Sequence, residues 1–585
     1  MAKNFYIKLA WANVKRNRYT YLPYLIALTL ISGVYLLVTG MIFSDSLSAV
    51  PNGETATSMF SFGVVVFSLF VVGFMVYING FLINRRKREF GLYGVLGLEK
   101  KHVCRILLYE NALVLFAGLL LGTVFALVFG RLLFMVLIKL INSVAAGSSF
   151  SIPSKAYVLT YGLFLGVFIL NSLISIIRVR VTASMTLLNS ERQGQKRIPL
   201  VWLWAIIGLA LLGLAYYSAW TIEKPTTALG LFFILVIAVI IATYLLFNAG
   251  SAVLLSIMRK VKGYYYKPNN FVTVSGLRHR MSRNANGLAT ICILSTMLIV
   301  TLSGTLALYL GSTAQASSLY PYDMSIGFFA LSEDGYDDPA LAEPKQEFVS
   351  DLHALAEKHS LTLSSDPSKL QSELTNDDDY YSNDYVQDPD SIEIIGGIVC
   401  ADASFRFDVE GRDDDVVAFI DEVYDKYIYI TASDSILQLT YLDSWYEIRA
   451  NNYAVYGGLF FLGAFFGVLF LAMTVLIIYF KQVTEGYEDR ERFKIMQQIG
   501  MEEPLVKKTI NRQILWVFFL PLFATLLHMV FASKIMSNMF ALFQIYDWGL
   551  ILACIGGACL LFVLLYLIVF RLTAKAYYRI IRWKI

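Results

Sequence analysis

Arg85-Arg-Lys-Arg-Glu-Phe-Gly-Leu-Tyr-Gly-Val-Leu-Gly97 follows the long apolar run 58–83, and 403 positions further on stands its echo, Glu491-Arg-Phe-Lys-Ile-Met-Gln-Gln-Ile-Gly500. That shift places Phe90 on Phe493, Leu92 on Ile495, Leu96 on Ile499, Gly97 on Gly500 and Glu99 on Glu502. It also lays the apolar runs 58–83, 106–130 and 157–177 over 455–480, 514–533 and 548–571, and Arg131 over Lys534. A period this long means duplicated bundles. A weaker echo joins Arg16-Asn17 to Arg283-Asn284, each just before an apolar run. The expected arrangement is two related bundles about a pseudo-two-fold axis along a membrane normal.

Outward from the repeat, the chain of 585 residues is 57% hydrophobic and 16% charged. Soluble domains carry about 25% charge, so lipid is the solvent for much of this chain. The runs are continuous rather than alternating, and each is long enough to cross the hydrocarbon as a helix. Ten are expected: 21–43, 58–83, 106–130, 157–177, 200–217, 226–249, 288–311, 455–480, 514–533 and 548–571. The fifth and sixth interrupt the repeat as an insertion. The first has no convincing cleavage site and reads as a retained span. Only Cys400 of the five cysteines falls in a soluble region outside the membrane, so no disulfide framework is expected.

Charge gives the orientation. Residues 312–452 hold 30 of the 44 Asp and Glu but 7 of the 48 Lys and Arg, a net charge of −23 against +27 elsewhere. Loops rich in Lys and Arg alternate with loops poor in them. The positive-inside rule then puts both termini in the cytoplasm and 312–452 outside the cell, in a multi-pass plasma-membrane protein. The expected organisation is an amphipathic helix over 1–20, spans one to four over 21–177 (first repeat from 58), spans five and six over 200–249, and span seven over 288–311. An extracellular acidic domain over 312–452, spans eight to ten over 455–571 and a tail over 572–585 complete it. The fold class is membrane all-α with one α+β domain. In that domain Phe348–His359 and Val416–Tyr427 read as amphipathic helices, Ser391–Val399 and Tyr427–Ile430 as strands, and Asn376–Asp390 as a loop.

Several chemistries find no support. The chain has no phosphate loop, zinc-protease motif, nucleophile elbow or kinase signature. Its five histidines are scattered. The spans lack the string of interior carboxylates of an ion-driven carrier. Energy is therefore expected from a partner ATPase. The stretches 85–105 and 488–508 suit that need: apolar residues at helical spacing, flanked by charge, at a membrane surface. A basic anchor for anionic lipid is the alternative. Gly97 is placed to stop its helix.

The sequence resembles the ten-helix permeases of the FtsX-like ABC superfamily, specifically the bacitracin-export (BceB-type) permeases of Gram-positive bacteria. Leu9-Ala-Trp-Ala-Asn-Val-Lys-Arg-Asn17 with Tyr21-Leu-Pro-Tyr24 carries the resemblance, together with 85–97 and Glu110, Arg490-Glu-Arg-Phe493 through Ile499-Gly500, Gln513 and Pro521. The position of the outer domain between spans seven and eight also carries it. The resemblance implies a dimer of cytosolic ATPases as partner, which would bind the ATP and Mg; no cofactor is expected in this chain, nor a metal, nor nucleic acid. It further implies a sensor histidine kinase partner, and protection of lipid-linked cell-wall precursors from antimicrobial peptides by mechanical transmission. Glu89, Phe90, Gly97 and Glu99, with Arg492, Phe493, Gly500 and Glu502, are the expected ATPase contacts. Arg131 and Lys534 are candidates for an anionic lipid pyrophosphate, against simple anchoring at the headgroups. Asp377, Asp378, Asp379, Asp413, Asp414 and Asp415 are candidates for steering cationic peptides, against a plain solvated surface. Lipid or lipoprotein extraction, and a regulatory scaffold for a hydrolase or kinase, are the competing functions.

Overall fold

A computed structural model describes residues 2–44, 47, 53–141, 150–181, 200–266, 268–319, 324–332, 342–363, 399–407, 409–410, 413–426, 429–432, 435–498 and 503–581. The chain divides into two units, Met1–Tyr309 with Ala454–Ile585, and Leu310–Tyr453.

Among the described residues, ten helices are long and apolar enough to span a membrane. The membrane unit opens with α1 (Ala2–Arg16) and α2 (Arg18–Ile42), followed by α3 (Gly53–Val95), α4 (Lys100–Leu140) and α5 (Ser154–Val181). Then come α6 (Val201–Thr221), α7 (Pro225–Leu245), which passes through a π-turn into α8 (Ser251–Lys260), and α9 (Pro268–Leu319). The second half holds α12 (Trp445–Gln498), α13 (Glu503–Phe540) and α14 (Trp548–Ile581).

In lipid, helices are held together by close packing, because apolar surface gains nothing by leaving hydrocarbon. The sequence supplies two devices. On α4, Gly118, Gly122, Ala126 and Gly130 form a buried row of small residues at four-residue spacing. A Cβ at Gly118 would collide with Leu28, and one at Gly122 would sit 3.0 Å from the Thr29 carbonyl oxygen, so α2 lies directly on α4. Aromatic rings join the two halves: Phe67 meets Phe466 at 5.4 Å, Phe70 meets Phe470 at 5.1 Å and Phe81 stacks on Phe480 at 4.9 Å. Such pairs contribute about 0.5–1.5 kcal/mol each beyond burial.

The three-dimensional contacts also reset the weaker echo. Asn13 bonds Glu110, and Gly276 lies against Gln513. The Thr29 carbonyl faces Gly122, and the Thr525 hydroxyl donates to the Cys292 carbonyl at 3.2 Å. With α4 matched to α13 at 403, both pairs match α2 to α9 at an offset of 263 rather than the 267 of Arg16-Asn17 and Arg283-Asn284. The difference is about one helical turn. Charged residues mark where a helix leaves the membrane, whereas packing sets the register.

The second unit is α+β. Strand β1 (Met324–Ser332) pairs antiparallel with β3 (Val399–Phe407) on one side and β6 (Ser435–Ser444) on the other, and β5 (Tyr429–Ala432) extends β6, giving the order β3-β1-β6-β5. A second, two-stranded sheet joins β2 (Thr362–Leu363) to β4 (Val409–Glu410). Helices α10 (Ala342–Lys358) and α11 (Asp413–Lys426) bury Leu352, Leu355, Phe419, Ile420 and Val423. The expected helices are present, each beginning earlier than its sequence pattern. Of the expected strands, Tyr427–Ile430 overlaps β5, and Ser391–Val399 lies outside the described residues except for Val399, the first described residue of β3; the expected loop Asn376–Asp390 lies outside them too. Strands β1 and β6 have no counterpart in the sequence reading. Their pairing spans more than a hundred residues, beyond the reach of local pattern.

Candidate coupling site

The stretch expected to lie in the membrane interface is instead the continuation of α3. Its apolar span covers Phe60–Ile83. The following residues, to Val95, carry the same helix about 18 Å further. Gly97, at φ +88°, stops it. Leu98 N–H donates to the Tyr93 carbonyl at 2.9 Å and Gly97 N–H to that of Gly94 at 3.3 Å. This is the Schellman closure, and Tyr93 and Leu98 both pack against the same buried apolar cluster. Glu99 stands at the start of α4 without a side-chain capping bond, its carbonyl accepting from the His102 and Val103 N–H groups, and the chain turns back on itself.

Two opposite faces result. Phe90 is buried with Ile83, Val103, Cys104, Leu107 and Val179. Leu92, Val95 and Leu96 stand exposed, Leu96 at 70%. They lie about two and a half to three and a half turns beyond the apolar span, where exposed apolar side chains meet water rather than lipid.

Behind the exposed face lies a buried polar hub. Glu110 is fully buried and Arg86 is 4% exposed. A buried charge needs a partner and full hydrogen bonding. Glu110 receives Asn13 Nδ2 at 2.8 Å, Tyr21 OH at 3.0 Å and Arg86 Nη2 at 3.1 Å, and Arg86 Nη1 donates to its other oxygen. Arg86 also donates Nη1 to Tyr21 OH at 2.7 Å and Nε to Glu89 at 2.9 Å, and lies 5.1 Å over the Phe90 ring. Asn17 Nδ2 reaches Glu89 at 3.3 Å, and Tyr93 OH reaches Asn13 Oδ1 at 3.4 Å. Burial works against the guanidinium charge, but Tyr21, Glu110 and Glu89 outweigh it and raise the Arg86 pKa. Four helices, α1 to α4, thus meet on one ion pair.

The second half is wired differently. The repeat puts Asp489 at the place of Arg86 and Gln513 at that of Glu110. Both are buried, with Lys481 and Glu485 on the same face of α12. Tyr577 OH donates to Asp489 at 2.7 Å.

The other expected residues disperse. Glu89 belongs to the hub and Phe90 to the core behind it. Glu99 is exposed and pairs with Lys101 at 2.5 Å, which lowers its pKa through a hydrogen bond and the lysine charge. Arg492 and Phe493 lie on α12, with their side chains outside the described set; Gly500 and Glu502 lie outside the described residues. Arg131 is exposed on α4, and Lys534 Nζ on α13 lies 5.8 Å from the Trp548 ring. Asp377, Asp378 and Asp379 lie outside the described residues. Asp413, Asp414 and Asp415 form the first turn of α11, where the helix dipole favours acidic side chains. Arg86, Asn13, Asn17, Tyr21 and Glu110 were not among the expected site residues.

Comparison with known proteins fits this architecture. The FtsX-like permease C-terminal domain matches twice, at residues 61–183 and 464–577, and the two matches begin 403 residues apart. The bacitracin export permease protein BceB of Bacillus subtilis is 22% identical over 90% of this chain and 93% of its own length. BceB of Halalkalibacterium halodurans is 23% identical over 89% and 92%. The ABC transporter permease YvcS of Bacillus subtilis is 26% identical over 52% of this chain, and the match spans 46% of YvcS. The chain thus carries the FtsX-like permease C-terminal domain twice and is similar over about nine-tenths of its length to the BceB permeases, and its ten apolar helices among the described residues fit a multi-pass membrane protein. An ABC permease of this kind works with a separate ATPase.

Proposed function

We propose that the chain is the transmembrane subunit of an ABC complex that gives resistance to, and senses, antimicrobial peptides aimed at the cell wall. The observation that carries this reading is the α3 lever: a helix that runs on past its apolar span and is ended by Gly97, with Leu92, Val95 and Leu96 bare at its end and Arg86 paired with Glu110 behind it. An ATPase dimer docks there and on the matching stretch around Arg492 and Phe493, binding ATP and Mg itself. The basic ends of the helices then face the cytoplasm and residues 312–452 lie outside. Nucleotide-driven movement of the lever passes through the hub to α1, α2 and α4, and along these helices to the outer domain, which detaches peptide from lipid-linked precursor. A sensor histidine kinase reads the same movement. The names of the two BceB relatives support the choice of peptide class. The test is to purify the chain with its associated ATPase and add candidate peptides: hydrolysis stimulated by a bacitracin-like or nisin-like peptide supports the proposal. Stimulation by lipoprotein, with no peptide effective, supports an extraction role instead.

A further inference from the structure

The inserted helices α6 and α7 pack on α13, and with α9 they surround a cavity of about 100 Å³. A volume of this order admits an apolar body of about four to six carbon atoms. The walls are apolar except at Tyr216, Thr243, Thr296 and His528. No Asp, Glu, Lys or Arg lines the cavity, so nothing there offsets the cost of a buried imidazolium, and the His528 ring is neutral.

Hydrogen-bond accounting fixes what these four side chains leave open. The Thr243 hydroxyl has one hydrogen and gives it to the Val239 carbonyl at 2.6 Å. Its contact with His528 Nε2 at 3.2 Å is therefore made by the ring N–H. The other nitrogen of a neutral imidazole is then bare, and His528 Nδ1 accepts from Tyr216 OH at 2.5 Å. The Thr296 hydroxyl donates to the Cys292 carbonyl at 2.9 Å. Every polar hydrogen of the four side chains is thus committed. The oxygens of Tyr216 and Thr296 accept nothing among the described residues. Stacking on Phe531 at 3.8 Å holds the Tyr216 ring in this corner. The cavity therefore offers acceptors and no donor.

We infer that the cavity binds a small apolar molecule carrying one hydrogen-bond donor, an aliphatic alcohol, whose O–H is given to the Tyr216 oxygen while its carbon chain lies against α7 and α9. An ether or alkane of the same size fills the apolar walls equally and leaves the acceptor unmet. A charged amphiphile is refused, because no counter-ion lines the cavity. The ligand touches α6, α7, α9 and α13 together, so it binds only while the inserted pair is docked on the second bundle. This chemistry does not depend on what the transporter acts on.

The test uses the intact chain with its associated ATPase in lipid nanodiscs and a diazirine-bearing hexanol as photolabel, with adducts mapped to residues by mass spectrometry. Two isomers of equal size compete at matched concentrations in the bilayer: 1-hexanol, which has the donor, and methyl pentyl ether, which lacks it. Labelling is expected at cavity residues such as Val239 and Phe531, above that of the exposed Leu209 and Phe233 on the outer sides of α6 and α7. Hexanol is expected to displace it at a concentration about fivefold below that of the ether, the effect of one hydrogen bond. Ala532→Phe, which fills the cavity from α13, and Val236→Phe, which fills it from α7, are each expected to abolish the cavity adducts and spare those at Leu209 and Phe233. Equal displacement by the two isomers, adducts no denser in the cavity than at Leu209 and Phe233, or adducts indifferent to both filling variants overturn the inference. The isomer comparison is made on the unaltered chain and decides the matter even where neither variant folds. Retention of the ATPase is measured in the same samples; its loss counts against the permease reading and leaves the alcohol site standing.

Discussion

Arg86 on α3 and Glu110 on α4 make a two-pronged ion pair that is shut off from solvent on both sides. They stand 11 and 13 residues on either side of Gly97, so the Schellman turn brings them level on antiparallel helices. Their other partners come from α1 and α2, which makes this pair the point where the lever is joined to the rest of the first bundle.

Breaking the pair from one side strands a buried charge. Arg86→Met or Glu110→Leu is expected to cost about 3–5 kcal/mol, and the double variant less than the sum. Unfolding in detergent by a double-mutant cycle measures it. Additive losses would mean that the two groups act separately.

At Gly97 nothing lies within 4 Å of the position that a Cβ would take, so substitution there is a pure backbone test. Gly97→Ala forces an alanine to φ +88° and is expected to cost about 1–2 kcal/mol. Gly97→Asn, which tolerates the left-handed region better, is expected to cost less. Equal stability of all three proteins would show that the turn reforms elsewhere.

In the α+β unit, Glu422 on α11 accepts from Lys358 at 2.5 Å and pairs with His359 at 2.8 Å, and these two bonds lower its pKa. A carboxylate with a lowered folded pKa adds stability above the ordinary glutamate range, near pH 4.3, and loses it as pH falls through the lowered value. Protection of α10 and α11 amides in the intact protein is expected to drop on acidification through that range, and Glu422→Gln to flatten the drop. An unchanged pH profile in the variant would assign the effect to other carboxylates.

How much of this was legible in the sequence depends on the reach of each signal. The repeat was readable because Phe90 and Phe493, and Gly97 and Gly500, keep their spacing over ten residues. The helix stop at Gly97 followed from its residue type. The hub was not readable. Arg86 is one of four consecutive basic residues, and Glu110 is a single carboxylate in an apolar run; only the turn between them makes them neighbours. Helical spacing grouped Phe90 with Leu92 and Leu96, yet the structure sends Phe90 inward and the two leucines outward, because a surface helix at a bundle end has apolar residues on both sides for different reasons. Strands β1 and β6 escaped for the same cause as the hub, since their contacts are distant in sequence.

The most direct measurement is retention of the ATPase by Leu92→Asp/Leu96→Asp, which changes the exposed face of the lever and leaves Arg86, Glu110 and Phe90 in place. Each leucine at the centre of a protein interface is worth about 1–2 kcal/mol, so the pair should weaken retention by about tenfold or more, with loss of peptide-stimulated ATP hydrolysis. Full retention and normal stimulation in a folded double variant would contradict the account.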